Sequence, residues 1–221
     1  MTTETLSFNT EGGETTAFVA TPSESNGKAV IVIQEWWGLN EHIKDIACRY
    51  AEEGFTAIAP DLYRGRVAAN PEEAGAMMQA LKIEDGLDMI KNAIDAAREN
   101  YGFAHFGITG FCMGGTYSLR AACLLEGVSA AAPFYGDIPE EDVLKDLTVP
   151  TIFVSGTKDK WINTEKVALL EEITEKYELP VTSVKYEADH AFFNNTRPEV
   201  YDETAAKDAW ALVIGLFNDK L

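Results

Sequence analysis

A cysteine, an aspartate and a histidine in this sequence are of the types that cooperate in nucleophilic catalysis. Cys112 stands in Gly110-Phe111-Cys112-Met113-Gly114-Gly115, which follows an apolar strand-like run and precedes a helix-like one. These glycines predict a nucleophile elbow, a sharp strand-to-helix turn at which larger side chains would collide with neighbouring elements. Cys112 is therefore a candidate nucleophile, and a buried structural cysteine beside a glycine-rich turn is the alternative.

The positions of the three cysteines predict their chemical state. A helix N-terminus carries partial positive charge, so the position of Cys112 favours its thiolate. Cys48 and Cys123 fall on apolar helix faces, and we interpret both as core residues. An odd, sparse cysteine count predicts no disulfide framework and indicates reduced thiols in the cytoplasm, and no Cys or His spacing indicates a metal site.

The base must be one of three histidines, and their positions along the chain separate them. His190 follows the predicted last strand, where the base that serves an elbow nucleophile is commonly found. His105 begins the strand that leads to Cys112, so it lies at the opposite end of the sheet. His42 follows a glycine turn and can reach the same face as Cys112, but His190 fits the chain order. A solvated loop histidine is the alternative for His190.

The residue that orients the base is expected between the nucleophile and the base. Asp159 follows a predicted strand and a glycine turn, and its carboxylate can hold the tautomer of His190 that leaves Nε2 free to accept a proton. Lysines on both sides of Asp159 leave a surface ion pair as the alternative. The order Cys112, Asp159, His190 is the order of nucleophile, acid and base that accompanies such an elbow.

The elements that position these residues follow from apolar patterning. Two short strands around a Gly-Gly turn open the chain, and strand and helix patterns then alternate. This alternation predicts an α/β protein of one domain, residues 1–221, with a mostly parallel eight-stranded sheet and helices on both faces. We expect strands at 4–9, 15–21, 29–34, 55–59, 105–109, 128–134, 151–155 and 182–187, and helices at 40–53, 71–81, 85–99, 114–125, 164–177 and 199–218. We interpret the acidic stretch 138–146 as a solvated face.

Composition excludes several classes of function. The 221 residues include 18 Lys and Arg against 36 Asp and Glu, a formal net charge of −18. This charge disfavours nucleic acid and anionic lipid as partners. The 46% of apolar residues is too high for a disordered chain. No apolar stretch is long enough for a membrane span, and the N-terminal segment does not read as a signal peptide.

With these motifs in place, the sequence resembles the dienelactone hydrolase (carboxymethylenebutenolidase) family of α/β-hydrolases from about Leu6 to Phe217. The segments that carry the resemblance are Gln34-Glu35-Trp36-Trp37-Gly38-Leu39-Asn40, Ala59-Pro60-Asp61-Leu62-Tyr63, Gly110-Phe111-Cys112-Met113-Gly114-Gly115, Gly156-Thr157-Lys158-Asp159 and Asp189-His190-Ala191-Phe192. The resemblance implies the α/β-hydrolase fold, a small-molecule ester or lactone substrate, an acyl-cysteine intermediate and no cofactor. We expect a monomer or a homodimer.

Further site residues stand at the end of the strand 29–34 and after the nucleophile. Glu35 closes a buried strand, so its carboxylate should be partly desolvated and its pKa raised. The resemblance implies that Glu35 contacts the resting thiol and takes part in its activation when substrate arrives; a bond to local backbone is the alternative. The backbone N–H groups of Trp36 and Met113 are the expected oxyanion hole.

For the groups that bind substrate, the sequence leaves the most alternatives open. Six aromatic residues either line an apolar pocket or belong to the core: Trp36, Trp37, Phe134, Tyr135, Trp161 and Phe192. Tyr63 is a further candidate to contact substrate. Arg64 or Arg66 beside it is the candidate to bind a substrate carboxylate and to reverse the negative field at the pocket mouth. Asn194 stands where the family archetype carries a second arginine, and Arg197 is three residues later.

Three functions therefore remain open: a lactone or small-ester hydrolase, an esterase or thioesterase with another acyl substrate, and a non-catalytic binding protein of the same fold. The third predicts that iodoacetamide does not label Cys112 near neutral pH and that Cys112 forms no acyl adduct.

Overall fold

A single eight-stranded sheet runs through the computed structural model, which describes all 221 residues. The strands are β1 (Thr2–Thr10), β2 (Gly13–Thr21), β3 (Ala29–Ile33), β4 (Thr56–Pro60), β5 (Phe106–Phe111), β6 (Val128–Phe134), β7 (Thr151–Gly156) and β8 (Val181–Tyr186). The helices are α1 (Glu41–Glu52), α2 (Pro71–Ala80), α3 (Ile83–Tyr101), α4 (Met113–Leu124), α5 (Glu141–Leu144), α6 (Thr164–Tyr177) and α7 (Glu203–Lys220).

The sheet is parallel except at one edge, and the strand order is β1-β2-β4-β3-β5-β6-β7-β8. The opening hairpin β1–β2 and the pair β2–β4 are antiparallel, whereas β4, β3, β5, β6, β7 and β8 form parallel pairs. Helical crossovers between successive strands produce this arrangement, because parallel neighbours cannot be joined by a tight turn. The predicted mostly parallel eight-stranded sheet is confirmed.

Helices cover both faces of the sheet, as the residues of β3 illustrate. Every residue of β3 is buried, and alternate side chains point to opposite faces. Ile31 and Ile33 belong to an apolar cluster with α2, α3, α4 and α6, and Val30 and Val32 belong to a second cluster with α1 and α7. The continuous apolar runs in the sequence therefore reflect strands covered on both sides.

Element boundaries differ from the sequence prediction in three informative places. Strand β5 extends to Phe111, directly before the elbow, because it pairs with β3 as far as Gly110 and with β6 as far as Phe111. Helix α7 begins at Glu203 rather than at 199, because the side chain of Asp202 accepts a hydrogen bond from the Ala205 amide at 3.0 Å and caps it. The stretch 138–146 contains the one-turn helix α5, which buries Leu144.

None of the seven helices combines the length and the apolar character that a membrane crossing would require.

Candidate active site

The turn between β5 and α4 presents Cys112 at the carboxyl end of the parallel strands. Cys112 has φ 56° and ψ −115°, a conformation that non-glycine residues rarely adopt and that costs about 1–3 kcal/mol. A Cβ at Gly110 would overlap the carbonyl of Gly114, and one at Gly114 would overlap the carbonyl of Ile33. The glycines at these positions therefore permit the strand-to-helix turn that the sequence predicted.

Asp159 and His190 meet after β7 and β8. His190 Nδ1 donates to Asp159 Oδ2 at 2.6 Å, and Asp159 Oδ1 accepts from the amides of Trp161 and Ile162 at 2.8 and 3.0 Å. Burial raises the pKa of Asp159, but the bond and charge of His190 and the two amides outweigh it, so the pKa lies below its ordinary value. His190 Nε2 is buried and has no partner within the chain.

The lysine neighbours of Asp159 do not form the ion pair considered as its alternative role. Lys158 instead lies 3.4 Å from Glu187, and the carboxylate of Asp159 is held by His190 and by backbone amides.

Cys112 and His190 line the same cavity, which has a volume of about 370 Å³. The His190 ring lies edge-to-face against Trp161, with centroids 4.8 Å apart, and 5.0 Å from the ring of Tyr135. The other lining residues are Trp36, Met78, Leu81, Ile83, Met113, Thr116, Tyr117, Asp137, Ile162 and Lys166. A nucleophile candidate and a histidine with a free nitrogen therefore face one largely apolar space.

The resting Cys112 side chain is a neutral thiol. Burial and the negative charge of Glu35 raise its pKa to about 12, while a hydrogen bond from the Met113 amide acts in the opposite direction. The amide at the helix N-terminus favours the thiolate, as expected, but the two larger effects keep the resting sulfur protonated. Desolvation of a charged sulfur beside a carboxylate outweighs the partial charge of the helix end.

Glu35 is buried at the end of β3, and burial raises its pKa from the ordinary 4.5 to about 7. A hydrogen bond from Asn194 Nδ2 to Glu35 Oε2 at 2.9 Å, and the charge of Arg197, oppose this rise. Asn194 Oδ1 in turn accepts from the amide and the hydroxyl of Thr196, at 3.0 and 2.6 Å, which orients the Asn194 amide toward Glu35. Near pH 7, both protonation states of Glu35 are populated.

The two backbone amides predicted to form the oxyanion hole belong to residues of the cavity wall. The Met113 amide bonds to the Cys112 side chain, and the Trp36 amide donates no backbone hydrogen bond within the chain. Trp36 and Met113 both line the cavity. Tyr63 supports this arrangement from outside the cavity, because its hydroxyl donates to Met113 Sδ at 3.2 Å.

Comparison with known proteins identifies the family. The model of the dienelactone hydrolase family matches residues 15–221. The chain belongs to the dienelactone hydrolase family. It is similar to the "Putative carboxymethylenebutenolidase" of Aquifex aeolicus, with 35% identity over 98% of each chain, and to the "Protein usf" of Aquifex pyrophilus, with 36% identity over 98% of each.

Solved structures agree with this assignment. A "Putative Dienelactone Hydrolase" from Klebsiella pneumoniae matches with a TM-score of 0.90 and 30% identity, covering 98% of each chain. A Pyrococcus furiosus esterase matches with a TM-score of 0.73 at 15% identity over 96% of this chain and 92% of its own, a likeness of fold alone. The chain therefore has the α/β-hydrolase fold and is a carboxylic ester hydrolase of the dienelactone hydrolase family.

The two arginines considered for substrate binding do not line the cavity at Cys112. Arg64 donates to the carbonyls of Gly13 and Glu14 at 2.9 and 3.0 Å, so the turn of the β1–β2 hairpin holds its guanidinium. Arg66 lies 3.6 Å from Glu73. Both arginines, with Tyr63, line a neighbouring depression instead. The hairpin and α2 provide these partners, and neither contact is visible in the local sequence.

The six aromatic residues divide into wall and core. Trp36, Tyr135 and Trp161 line the cavity. Phe192 and Phe134 are fully buried and do not line it, because they pack in the cluster beneath α1 and α7. Trp37 packs edge-to-face on Trp36, with ring centroids 5.2 Å apart.

Sequence reasoning missed one wall of the site, which α2 and the start of α3 supply. Met78, Leu81 and Ile83 come from the segment Met77-Met78-Gln79-Ala80-Leu81-Lys82-Ile83, which joins these two helices. The apolar residues in this junction were the available signal, since a helix–helix connection on the surface is normally polar. From sequence alone, Asn194 stands out only as the replacement of an arginine that the family archetype carries. Its hydrogen bond to Glu35 becomes visible only in the folded chain.

The other histidines lie outside the cavity. His105 is exposed, with Nδ1 3.0 Å from the hydroxyl of Ser129, and His42 is buried in α1, where desolvation lowers its pKa to about 4. No group of three or more His, Cys, Asp or Glu side chains is arranged to hold a metal ion.

Replacing Glu35 with glutamine is expected to make stability less dependent on pH. The pKa of the Glu35 carboxyl is 4.5 in the unfolded chain and about 7 in the folded protein. The wild type therefore loses stability as pH rises through this window, by up to about 3 kcal/mol. Glutamine keeps an oxygen for Asn194 but does not titrate. The difference in unfolding free energy, variant minus wild type, should rise by that amount between pH 4.5 and 8 in denaturant titrations.

The matched control for this measurement is Glu24→Gln, because Glu24 is exposed. Its unfolding free energy should run parallel to that of the wild type across the same pH range. If Glu35→Gln also runs parallel, the buried carboxylate does not have the raised pKa described above.

Proposed function

We propose that the protein hydrolyses lactone or small carboxylic ester bonds through Cys112, His190 and Asp159, with an acyl-cysteine intermediate. The observation that carries the proposal is the 2.6 Å bond from His190 Nδ1 to Asp159. This bond fixes the tautomer whose Nε2 can accept a proton, and Cys112 lines the cavity beside it. The single sheet spanning β1 to β8 supports assigning the whole chain to one domain.

The first half-reaction forms the thioester. As the Cys112 sulfur attacks the substrate carbonyl carbon, its proton passes to His190 Nε2, and the carbonyl oxygen becomes an oxyanion. In this proposal the amides of Trp36 and Met113 donate hydrogen bonds to this oxygen. Collapse of the tetrahedral intermediate breaks the carbon–oxygen bond of the ester, and the leaving alkoxide takes the proton from His190. In a lactone, the alcohol stays attached to the acyl group.

The second half-reaction releases the acid. A water molecule gives a proton to His190 Nε2 and attacks the thioester carbon, forming a second oxyanion at the same two amides. Collapse breaks the carbon–sulfur bond, and the sulfur recovers its proton from His190. Asp159 stays ionised throughout, since its lowered pKa suits it to stabilise the imidazolium form of His190.

Glu35 is proposed to control when the thiol reacts. Its charge contributes to the raised pKa of Cys112, so it keeps the sulfur protonated and unreactive at rest. Its own pKa of about 7 allows it to take up a proton near neutral pH. Protonation of Glu35 removes the like charge beside the sulfur and makes the thiolate easier to form.

Mass spectrometry of the intact protein tests the intermediate directly. Mixing with 4-nitrophenyl acetate and quenching in acid should show a mass increase of one acetyl group, and peptide mapping should locate it on Cys112. Acid quenching stops turnover before water can release the acyl group from the sulfur.

Two outcomes would count against this proposal: an acetyl group on a serine or lysine, or turnover without any acyl-protein species in rapid-quench samples. Alkylation by iodoacetamide is a poorer test, because the resting thiol, with its pKa of about 12, reacts slowly even in an active enzyme.

A further inference from the structure

We propose that the site accepts esters whose acyl part is uncharged and apolar, and that it discriminates against acyl groups that carry a carboxylate. This inference rests on the function proposed above and names the substrate class of the same site.

The walls of the catalytic cavity are apolar. Ten of its fourteen lining residues are hydrophobic, among them Met78, Leu81 and Ile83 from the α2–α3 junction. The volume of about 370 Å³ leaves room for roughly a dozen water-sized groups, enough for a short acyl chain. An apolar chain placed here leaves water for a wall that offers it dispersion contacts.

The charged groups on the wall are already paired with one another. Lys166 Nζ lies 2.6 Å from Asp137 Oδ1, so the one lysine of the lining carries its own counter-ion. The His190 ring is held by the carboxylate of Asp159. A substrate carboxylate in the cavity would therefore meet no unpaired cation.

The remaining cations near the site lie outside the cavity. Lys158, Lys160 and Arg197 line a separate depression that shares only Trp161 and His190 with it. Lys158 lies 3.4 Å from Glu187, and Arg197 Nε donates to Glu199 at 2.8 Å. Of the two arginines in the turn after β4, Arg64 donates to the β1–β2 hairpin and Arg66 lies 3.6 Å from Glu73 of α2. None of these groups lines the space that an acyl chain would occupy.

Burial of a carboxylate in such a cavity is unfavourable because its lost hydration is not replaced by an ion pair. The buried Glu35 carboxylate near Cys112 adds repulsion. A terminal methyl group meets neither penalty. Of two acyl chains of equal length, the cavity therefore binds the uncharged one more favourably than the one that ends in a carboxylate.

Two substrates test this directly. 4-Nitrophenyl hexanoate and the 4-nitrophenyl monoester of adipic acid have acyl chains of the same length, and a carboxylate replaces the terminal methyl group in the second. We expect kcat/KM to be at least about 100-fold higher for the hexanoate. The assay is run at low and at high salt, because salt screens repulsion from the net charge of −18 but not a buried contact.

A pair of variants tests whether the lack of a free cation on the cavity wall causes the preference for the uncharged ester. Met78 lines the cavity from α2 and is 37% exposed, so this position should tolerate a longer polar side chain. Met78→Arg should shift the kcat/KM ratio toward the adipate monoester by about 10-fold or more, since a guanidinium supplies the missing counter-ion. Met78→Gln, which is similar in length and uncharged, should leave the ratio within about 3-fold of wild type.

The outcomes separate this inference from the function on which it rests. Comparable turnover of both esters by the wild type, or a preference that disappears in high salt, overturns the inference while Cys112-dependent hydrolysis still stands. Equal ratios in the arginine and glutamine variants also overturn it. If the wild type hydrolyses neither ester, or if hydrolysis survives in Cys112→Ala, the proposed function itself fails.

Discussion

Cys112→Ala is expected to lower kcat/KM for activated esters and lactones by roughly 10⁴-fold or more. The substitution removes the only thiol in the cavity lined by His190, so no acyl-cysteine can form. The backbone should persist, because alanine meets the same strain at φ 56° as cysteine and has a smaller side chain. Residual catalysis should come only from substrate binding and the two oxyanion amides. Initial rates with 4-nitrophenyl esters, measured on protein with a native circular dichroism spectrum, provide the readout.

Cys48→Ala and Cys123→Ala are matched controls, since they make the same chemical change on α1 and α4, away from the cavity. Both should keep activity within about 2-fold, as partly buried sites that contact no reacting atom. A Cys112→Ala protein that retains more than a tenth of the wild-type rate would show that another group is the nucleophile.

Asp159→Asn is expected to lower kcat by roughly 10³–10⁴-fold near neutral pH, with little change in fold. The asparagine Oδ1 can still accept from the amides of Trp161 and Ile162. Its NH₂ group then faces His190 Nδ1 and requires that nitrogen to be an acceptor. The proton of the neutral imidazole moves to Nε2, which can no longer take a proton from the thiol.

Asp189→Asn is the control for this change, because it removes a carboxylate from the exposed neighbour of His190 in the sequence. It should leave kcat within about 3-fold, as expected for an exposed charge. The tautomer can be observed by ¹⁵N NMR of the imidazole. If Asp159→Asn shows wild-type kcat and an unchanged imidazole spectrum, Asp159 does not orient His190.

Local sequence was a good guide to the secondary structure elements. Strand β6 and helix α6 have the predicted bounds, because each is delimited by a strong local signal, a glycine or a capping asparagine. Helix α7 was placed four residues too early, since the Asp202 cap competes with apolar spacing that continues upstream. Helix α5 was missed because four residues are too few to establish a period.

The substrate-facing residues were much less predictable. Arg64 stands beside a recognised motif, yet its guanidinium bonds to the β1–β2 hairpin some fifty residues away in the chain. Met78 and Leu81 stand beside no motif, yet they form one wall of the cavity. Each outcome depends on which distant segment folds against the residue, and the spacing of neighbouring residues does not contain that information.

By itself, the sequence determined the order of strands and helices, the family, and the candidacy of Cys112, Asp159 and His190. The elements and the elbow at Cys112 follow from apolar periodicity and glycine sterics, which act over a few residues. Asp159 and His190 follow from their order along the chain, and the family from motifs that resemble its own. Only the tertiary structure decided that the resting thiol is neutral, that Glu35 is bound by Asn194, and that the cavity carries no unpaired cation. Burial and electrostatic energy are sums over groups brought together from the whole chain. The charge state and the specificity of the site therefore emerge only when the chain is folded.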